Sequence, residues 1–383
     1  MKVLRAFAIV LTVAAAATLA RGGHELPVYP SYYPHEIEIK TVTPEQAGGL
    51  LLQGKMQAYV GGAPKFSEQP PDWMRTVESL GAMVSVRINP ASSLIHDDAT
   101  TCTIARVVLR DVSGKGVDFI FHPYPVTPFH GDYLNHVDLA EATKARVVAD
   151  AGEISQQFPR ALKVAAAGAL ARSLVRPDWY TQGSDWDAVI EETDAAGVVA
   201  SSLVALNGWL GPAWVRTGWF QAQLLLADAA DESAAAVRAR TYLQRLEAGD
   251  YADAVERINL ERDLVTGLAS DCRKAVAGYT VKREYLNTEF SAGIENVAYD
   301  SVAGLHSPMF IRTVKLKDFP WNGWLSLGMD ARPSTAWNPI AGFTDPFGRL
   351  VWTALADPAV LPAPNDSRWT INRIADVQSS AGK

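Results

Sequence analysis

The hydrophobic pattern of this chain changes twice along its length, and the order of the patterns limits the folds that it can adopt. Residues 36–135 carry short runs that alternate polar and apolar side chains, which predicts a mainly-β unit. Residues 136–278 are Ala-rich with helical spacing, and residues 279–383 combine strand patterns with Trp- and Pro-rich loops. Because strands and helices come in blocks, the sequence predicts an α+β fold and not alternating βα units.

Individual elements follow from the same patterns. Strands are predicted at residues 36–40, 55–60, 82–88, 102–112, 117–121, 279–285 and 309–316, with a hairpin turn at 113–116. Helices are predicted at residues 139–157, 160–175, 186–193, 218–228, 233–247 and 250–277. In the third of these helices, Asp185 and Asp187 are interpreted as residues of the helix start, where carboxylates interact favourably with the dipole.

The N-terminus has the pattern of an export signal. Lys2 and Arg5 precede an uncharged segment at residues 6–20, and small residues at 18–20 offer a cleavage site. An uncleaved membrane anchor or a buried first helix would also fit this segment. We expect a signal peptide at 1–20, a periplasmic or secreted mature protein, and an extended arm at 21–35 that becomes ordered against a protein partner.

A second uncharged segment lies at residues 195–215, and its length would suit a membrane-spanning helix. Asn207, Gly211 and Pro212 interrupt its apolar character. These residues favour a buried pair of short helices over a span. We therefore expect no integral membrane span once the signal is removed.

Two cysteines, Cys102 and Cys272, are the only ones in the sequence. In an exported protein such a pair favours a disulfide, with two buried free thiols as the alternative. The bond would connect a predicted early strand to a predicted late helix. It would therefore be a long-range restraint on the architecture.

The charge balance excludes one class of partner. The formal net charge is −7, and Lys and Arg form no cluster anywhere in the sequence. Nucleic acids and anionic lipids both require clustered positive charge. We therefore expect no nucleic-acid binding, while 48% hydrophobic and 20% charged residues indicate a folded rather than a disordered chain.

The densest group of potentially reactive side chains lies at residues 122–138, on a Pro-rich loop. The candidate metal ligands in it are His122, His130, Asp132 and His136. Imidazole and carboxylate groups bind divalent transition metals, and Tyr133 would be a nearby proton donor. Alternatively, the histidines hydrogen-bond to backbone groups and Asp138 begins a helix through a capping box with Glu141. The spacing matches no established metal motif.

Tryptophan is concentrated in the C-terminal region, and the chain has 11 in total. Trp321, Trp324 and Trp337 are candidate contacts for a ligand or a partner. The Asn and Asp residues between them would suit a polyhydroxylated ligand. Packing of the loops is the alternative interpretation.

Three functional hypotheses follow. The sequence lacks a Gly-x-Ser-x-Gly elbow, a phosphate-binding loop and a dinucleotide fingerprint, so common hydrolases and nucleotide enzymes have no motif support. The leading hypothesis is an exported binding or accessory component of a larger envelope assembly. The alternatives are a metal-dependent periplasmic enzyme that uses the 122–138 loop, and a carbohydrate-binding protein that uses the C-terminal tryptophans.

Overall fold

A computed structural model describes residues 32–116, 118–149, 158–200, 213–289, 292–319, 322–337, 343, 345–355, 359–363 and 368–372. The predicted signal peptide, most of the predicted arm, Trp321 and the centre of the 195–215 segment lie outside these residues. The strands are β1 (Pro34–Thr41), β2 (Ala58–Val60), β3 (Met74–Ile88), β4 (Ile120–Phe121), β5 (Val164–Ala167), β6 (Ala188–Asp194), β7 (Lys274–Asn287), β8 (Ile294–Asn296), β9 (Lys315–Leu316), β10 (Gly323–Met329), β11 (Val360–Pro362) and β12 (Trp369–Ile371). The α-helices are α1 (Pro44–Leu52), α2 (Asp98–Val112), α3 (Val137–Ala149), α4 (Ala169–Leu174), α5 (Ala195–Ala200), α6 (Gly218–Leu226), α7 (Ala234–Ala248), α8 (Ala254–Ser270), α9 (Pro308–Thr313) and α10 (Pro346–Leu355).

One mixed sheet organises the described part of the chain. Its strands run in the order β1-β10-β2-β7-β3-β6-β5, and β4 is attached to β7. β3 and β7 form a long antiparallel pair through its middle, while β1, β10 and β2 are parallel to one another, as are β5 and β6. The α+β prediction is confirmed, and strands from the N-terminal, central and C-terminal regions share this one sheet.

The β3–β7 pair changes register near its middle, between Leu80 and Met83 and again between Val84 and Ser85. A Cβ at Gly81 would collide with the Thr280 side chain, so the close approach of the two strands requires glycine there. The apolar core divides at this point. One cluster contains the α6, α7 and α8 side chains, a second packs α2 on β3, and others lie at the opposite end with α1, α9 and β10.

Two predicted strands are helices. The segment 102–112 belongs to α2, where Thr101, Ile104, Ala105 and Val108 are buried at helical spacing and Asp97 caps the first turn through the Thr100 amide. Its β-branched residues suggested a strand, but the spacing of the buried positions decides in favour of a helix. The predicted hairpin at 113–116 follows the end of α2, and the 309–316 strand is α9 followed by the short β9.

Two predicted helices contain strands instead. The Ala-rich segment 160–175 contains β5 and then the short α4. The strand ends before Gly168 because the φ of this residue, 113°, does not continue an extended strand. The 186–193 segment is β6, which pairs with β3 on one side and with β5 on the other. Asp187 therefore does not start a helix. It is buried and forms an ion pair with Arg160.

The series of helices in the middle of the chain is confirmed by α6, α7 and α8, although α8 ends at Ser270 and the predicted continuation to 277 is the start of β7. Cys102 and Cys272 form the expected disulfide, which spans 170 residues of sequence. It joins the N-terminal part of α2 to the turn between α8 and β7, so the expectation of a strand at Cys102 is wrong. No helix within the described ranges is long and apolar enough to cross a membrane.

Candidate functional site: a disulfide-lined cleft at the ends of four helices

The four candidate metal ligands of the 122–138 loop are all buried. The loop lies between β4 and α3, and the four side chains are those of His122, His130, Asp132 and His136. The loop is therefore packed inside the protein, against the N-terminal end of α6.

Asp132 caps α6. Its two carboxylate oxygens accept hydrogen bonds from the Gly218 amide at 2.8 Å and the Trp219 amide at 3.1 Å. A Cβ on Gly218 would collide with Val126, so glycine lets the helix end approach the loop. A carboxylate at this position satisfies amides that have no partner within the helix and interacts favourably with the dipole.

The histidines are also engaged in internal hydrogen bonds. His130 accepts from the Thr127 amide at Nδ1, so its Nε2 carries the proton and donates to Gln221 Oε1 at 2.8 Å. His122 Nε2 lies 2.9 Å from the Val126 carbonyl oxygen. The Tyr124 hydroxyl lies 2.9 Å from His136 Nδ1.

These contacts favour the structural interpretation of the loop that the sequence left open. Within the part of the chain that is described, no three His, Cys, Asp or Glu side chains are grouped to hold a metal ion. The metal site at His122, His130, Asp132 and His136 stays a prediction. Asp138 lies in the first turn of α3, and its carboxylate forms a bidentate ion pair with Arg262 of α8.

Two titratable groups near this loop have pKa values that burial moves in opposite directions. Burial raises the pKa of the Glu261 carboxyl to about 7; the Arg257 guanidinium opposes this shift and the charge of Asp132 adds to it. Burial lowers the pKa of His136 to about 4, against the charge of Asp132. Glu261 Oε2 and His136 Nε2 have no hydrogen-bond partner among the described residues.

We expect Glu261→Gln to change how stability depends on pH. Between pH 4.5 and 7 the unfolded chain loses the Glu261 proton while the folded protein keeps it, so this group lowers stability as pH rises. His136 acts oppositely between pH 4 and 6.5, because only the unfolded chain takes up the proton. Relative to the parent protein, the variant should gain about 2–3 kcal/mol between pH 4.5 and 7. Urea unfolding over this pH range measures the difference.

Glu141→Gln is the control for this experiment, because Glu141 is an exposed position on α3. The control should follow the parent protein across the same pH range. A constant difference between Glu261→Gln and the parent would contradict the assignment of a raised pKa to Glu261.

The predicted C-terminal tryptophan contacts are separated. Trp324 lies on β10 with 68% of its surface exposed, and Trp337 is 51% exposed with its ring 6.0 Å from that of Trp352. Trp321 is outside the described residues. No ring contact joins Trp324 to Trp337 in the described part of the chain, and the role of these tryptophans as ligand or partner contacts stays a prediction.

A cleft of about 780 Å³ lies where four helices meet. α2 and α7 begin at it, and α6 and α8 end at it. Cys102 and Cys272 are both in its lining, so the disulfide forms part of the wall. The apolar lining includes Leu224, Leu226, Leu243 and Leu268.

The polar rim of the cleft contains ion pairs around Arg273. This guanidinium donates to the carboxylates of Asp231 and Asp271. Arg240 donates to the Asp231 carbonyl oxygen at 2.7 Å and reaches Glu232 at 3.4 Å. These pairs hold the start of α7 against the turn that follows α8, which fixes the shape of the opening.

This cleft was not predicted from the sequence. The signal that could have indicated it was the disulfide, because it brings the start of α2 next to the end of α8. The rest of the lining comes from helix ends that only tertiary packing places together.

Comparisons with protein-family profiles and with curated proteins give no match. Among solved structures, similarity is found to NikA from Brucella suis in complex with Fe(III)-EDTA (TM-score 0.36, 13% identity, 68% of this chain and 58% of that chain). Similarity is also found to OppA from Haemophilus influenzae complexed with RPPGFSPFR (0.38, 11%, 72% and 57%) and to the oligopeptide-binding protein AppA from Bacillus subtilis in complex with a nonapeptide (0.38, 12%, 69% and 57%). This chain spans less than two thirds of the length of each. A likeness at this level identifies no ligand for this chain.

Proposed function

We propose that this protein is an exported, periplasmic binding protein that takes a small ligand in the disulfide-lined cleft. The observation that carries the proposal is the cleft itself. Its volume of about 780 Å³ is that of a small-molecule site, which typically occupies roughly 300–1,000 Å³. Its apolar walls and polar rim are the combination that such sites use to desolvate a ligand and to orient it.

Export is supported by two independent features. The N-terminal segment has the charge and hydrophobicity pattern of a signal peptide. The disulfide between Cys102 and Cys272 requires an oxidising compartment to persist. A more specific hypothesis is that the protein is an accessory subunit of an envelope assembly. In that case the arm at 21–35 would bind a protein partner.

The test is to express the full-length chain, recover it from the periplasmic fraction and analyse it by native mass spectrometry. We expect the protein there with a bound small molecule. Ala236→Trp, which fills the cleft from α7, should abolish the adduct. Val237→Trp is the matched control, because Val237 is on the same helix, 46% exposed and outside the cleft lining.

Two outcomes would contradict the proposal. Retention of the chain in the cytoplasm would contradict the proposal that the protein is exported. An adduct that persists in Ala236→Trp, or no adduct in the parent protein, would remove the cleft as the ligand site.

A further inference from the structure

We infer that the disulfide-lined cleft selects an organic cation with an apolar body, such as an aryl or alkyl ammonium group. This inference rests on the proposed function and specifies the class of ligand for the same site. It follows from the charges at the rim, from the cancellation of the helix dipoles and from the apolar wall below.

The side-chain charges of the lining do not balance. Four carboxylates and two guanidinium groups line the cleft, which leaves an excess of two negative charges. Both guanidinium groups are committed, since Arg273 donates to two carboxylates of the lining and Arg240 is paired with Glu232 outside it. The positive charges at the rim are therefore already neutralised by neighbouring acids.

Asp98 and Asp228 are the two carboxylates of the lining that accept no hydrogen bond from either guanidinium group. Asp98 lies in the first turn of α2, and Asp228 follows α6, where it accepts a hydrogen bond from the Ala230 amide at 2.9 Å. Both residues are exposed, and neither forms a salt bridge within the described residues. They can therefore meet an incoming positive charge without first losing a cationic partner.

The helix ends at the cleft do not reverse this sign. α2 and α7 present N-terminal ends there, with partial positive charge, and α6 and α8 present C-terminal ends, with partial negative charge. Two ends of each kind largely cancel. The full charges of the carboxylates consequently set the sign of the potential, which favours cations in the opening.

The wall below the rim is apolar. Leu224 and Leu243 are half-buried and provide its accessible apolar surface, and the buried side chains of Leu226, Ala239 and Leu268 lie with them in the lining. A ligand that places a hydrocarbon or aromatic body on this surface gains by burial of apolar area, roughly 25 cal/mol per Å². A small hydrated metal cation would gain nothing from it, so an amphipathic organic cation fits both parts of the cleft.

The experiment compares three probes of similar size in ligand-observed NMR titrations of the mature protein: benzyltrimethylammonium, benzyl alcohol and phenylacetate. We expect the cation to bind about 10-fold more tightly than the neutral probe at low ionic strength, and the anion more weakly than either. The preference should decrease as salt rises from 20 to about 300 mM, because both carboxylates are solvent-exposed.

Two substitutions test the assignment of the charge. Asp98→Asn and Asp228→Asn should each weaken cation binding about 3-fold and leave benzyl alcohol unaffected, since asparagine keeps the local hydrogen-bonding capacity. Glu141→Gln removes one negative charge from α3, outside the cleft, and is the matched control. It should leave the cation affinity unchanged.

The outcomes separate the two proposals. If the neutral or the anionic probe bound as tightly as the cation or more tightly, and Ala236→Trp abolished that binding, the inference about charge would be overturned. The cleft would then remain the ligand site. An affinity for the cation that is unchanged in both Asn variants would also overturn the inference. Binding of any probe that persists in Ala236→Trp would count against the cleft, and so against the proposed function.

Discussion

Replacing Cys102 and Cys272 together with serine should lower the free energy of unfolding by about 5 kcal/mol. The bond closes a segment of 170 residues, and the entropy that a cross-link removes from the unfolded chain increases with the length of the closed loop. Urea unfolding of the parent and the variant, monitored by tryptophan fluorescence, measures the difference.

Reduction provides the control for this prediction. Dithiothreitol should lower the stability of the parent protein to that of the double Ser variant and should leave the variant unchanged, because no other cysteine is present. A loss below about 1 kcal/mol would mean that the unfolded chain is already compact around these two positions, which would contradict the entropic explanation.

Asp187→Ala should lower the free energy of unfolding by about 4 kcal/mol. The Asp187 side chain is 2% exposed and accepts two hydrogen bonds from Arg160, at 2.7 Å each. It also accepts from the Ser92 hydroxyl at 2.5 Å and the Lys163 amide at 2.8 Å. Removing the carboxylate leaves these donors without an acceptor and the guanidinium without its counter-charge. Loss of one partner of a buried pair is strongly destabilising because the other charge stays buried and uncompensated.

Asp185→Ala is the matched control, two residues away on the same segment. The Asp185 side chain is 80% exposed and pairs with Lys163 at the surface, so its loss should cost less than 1 kcal/mol. Asp187→Asn keeps one acceptor oxygen and should be intermediate. If Asp187→Ala and Asp185→Ala were equally stable, the contacts of Asp187 with Arg160 and Lys163 would not stabilise the fold as predicted.

The sequence was most informative where the local pattern and the tertiary environment agree. α7 is an example, because Ser233 caps its start and Gly249 ends it with a φ of 67°. Both are residues whose local chemistry produces those helix ends without help from the rest of the fold. β1 is another, since its alternation of polar and apolar residues is repeated in its pattern of exposure.

The partners of the 122–138 loop could not be predicted from the sequence. The sequence grouped His122, His130, Asp132 and His136 as candidate metal ligands, and all four are buried. Their partners include Gln221, the amides of α6 and Tyr124. Spacing along the loop contains no information about Gln221 or α6, which are remote in sequence, so the hydrogen bonds that these residues make could not be predicted from the loop alone.

The sequence by itself determined the α+β class and the presence of helices α6 to α8, because each depends on local pattern, and it favoured a disulfide over two free thiols because only two cysteines are present. The helix at 102–112 follows from the helical spacing of its apolar residues and from the Asp97 cap, whereas tertiary structure alone decided that 186–193 is a strand. Short segments fit either form, and β6 becomes a strand because β3, which is remote in sequence, and the preceding strand β5 supply the hydrogen bonds on its two edges. The cleft was likewise decided by tertiary structure, since its walls are helix ends that only packing brings together.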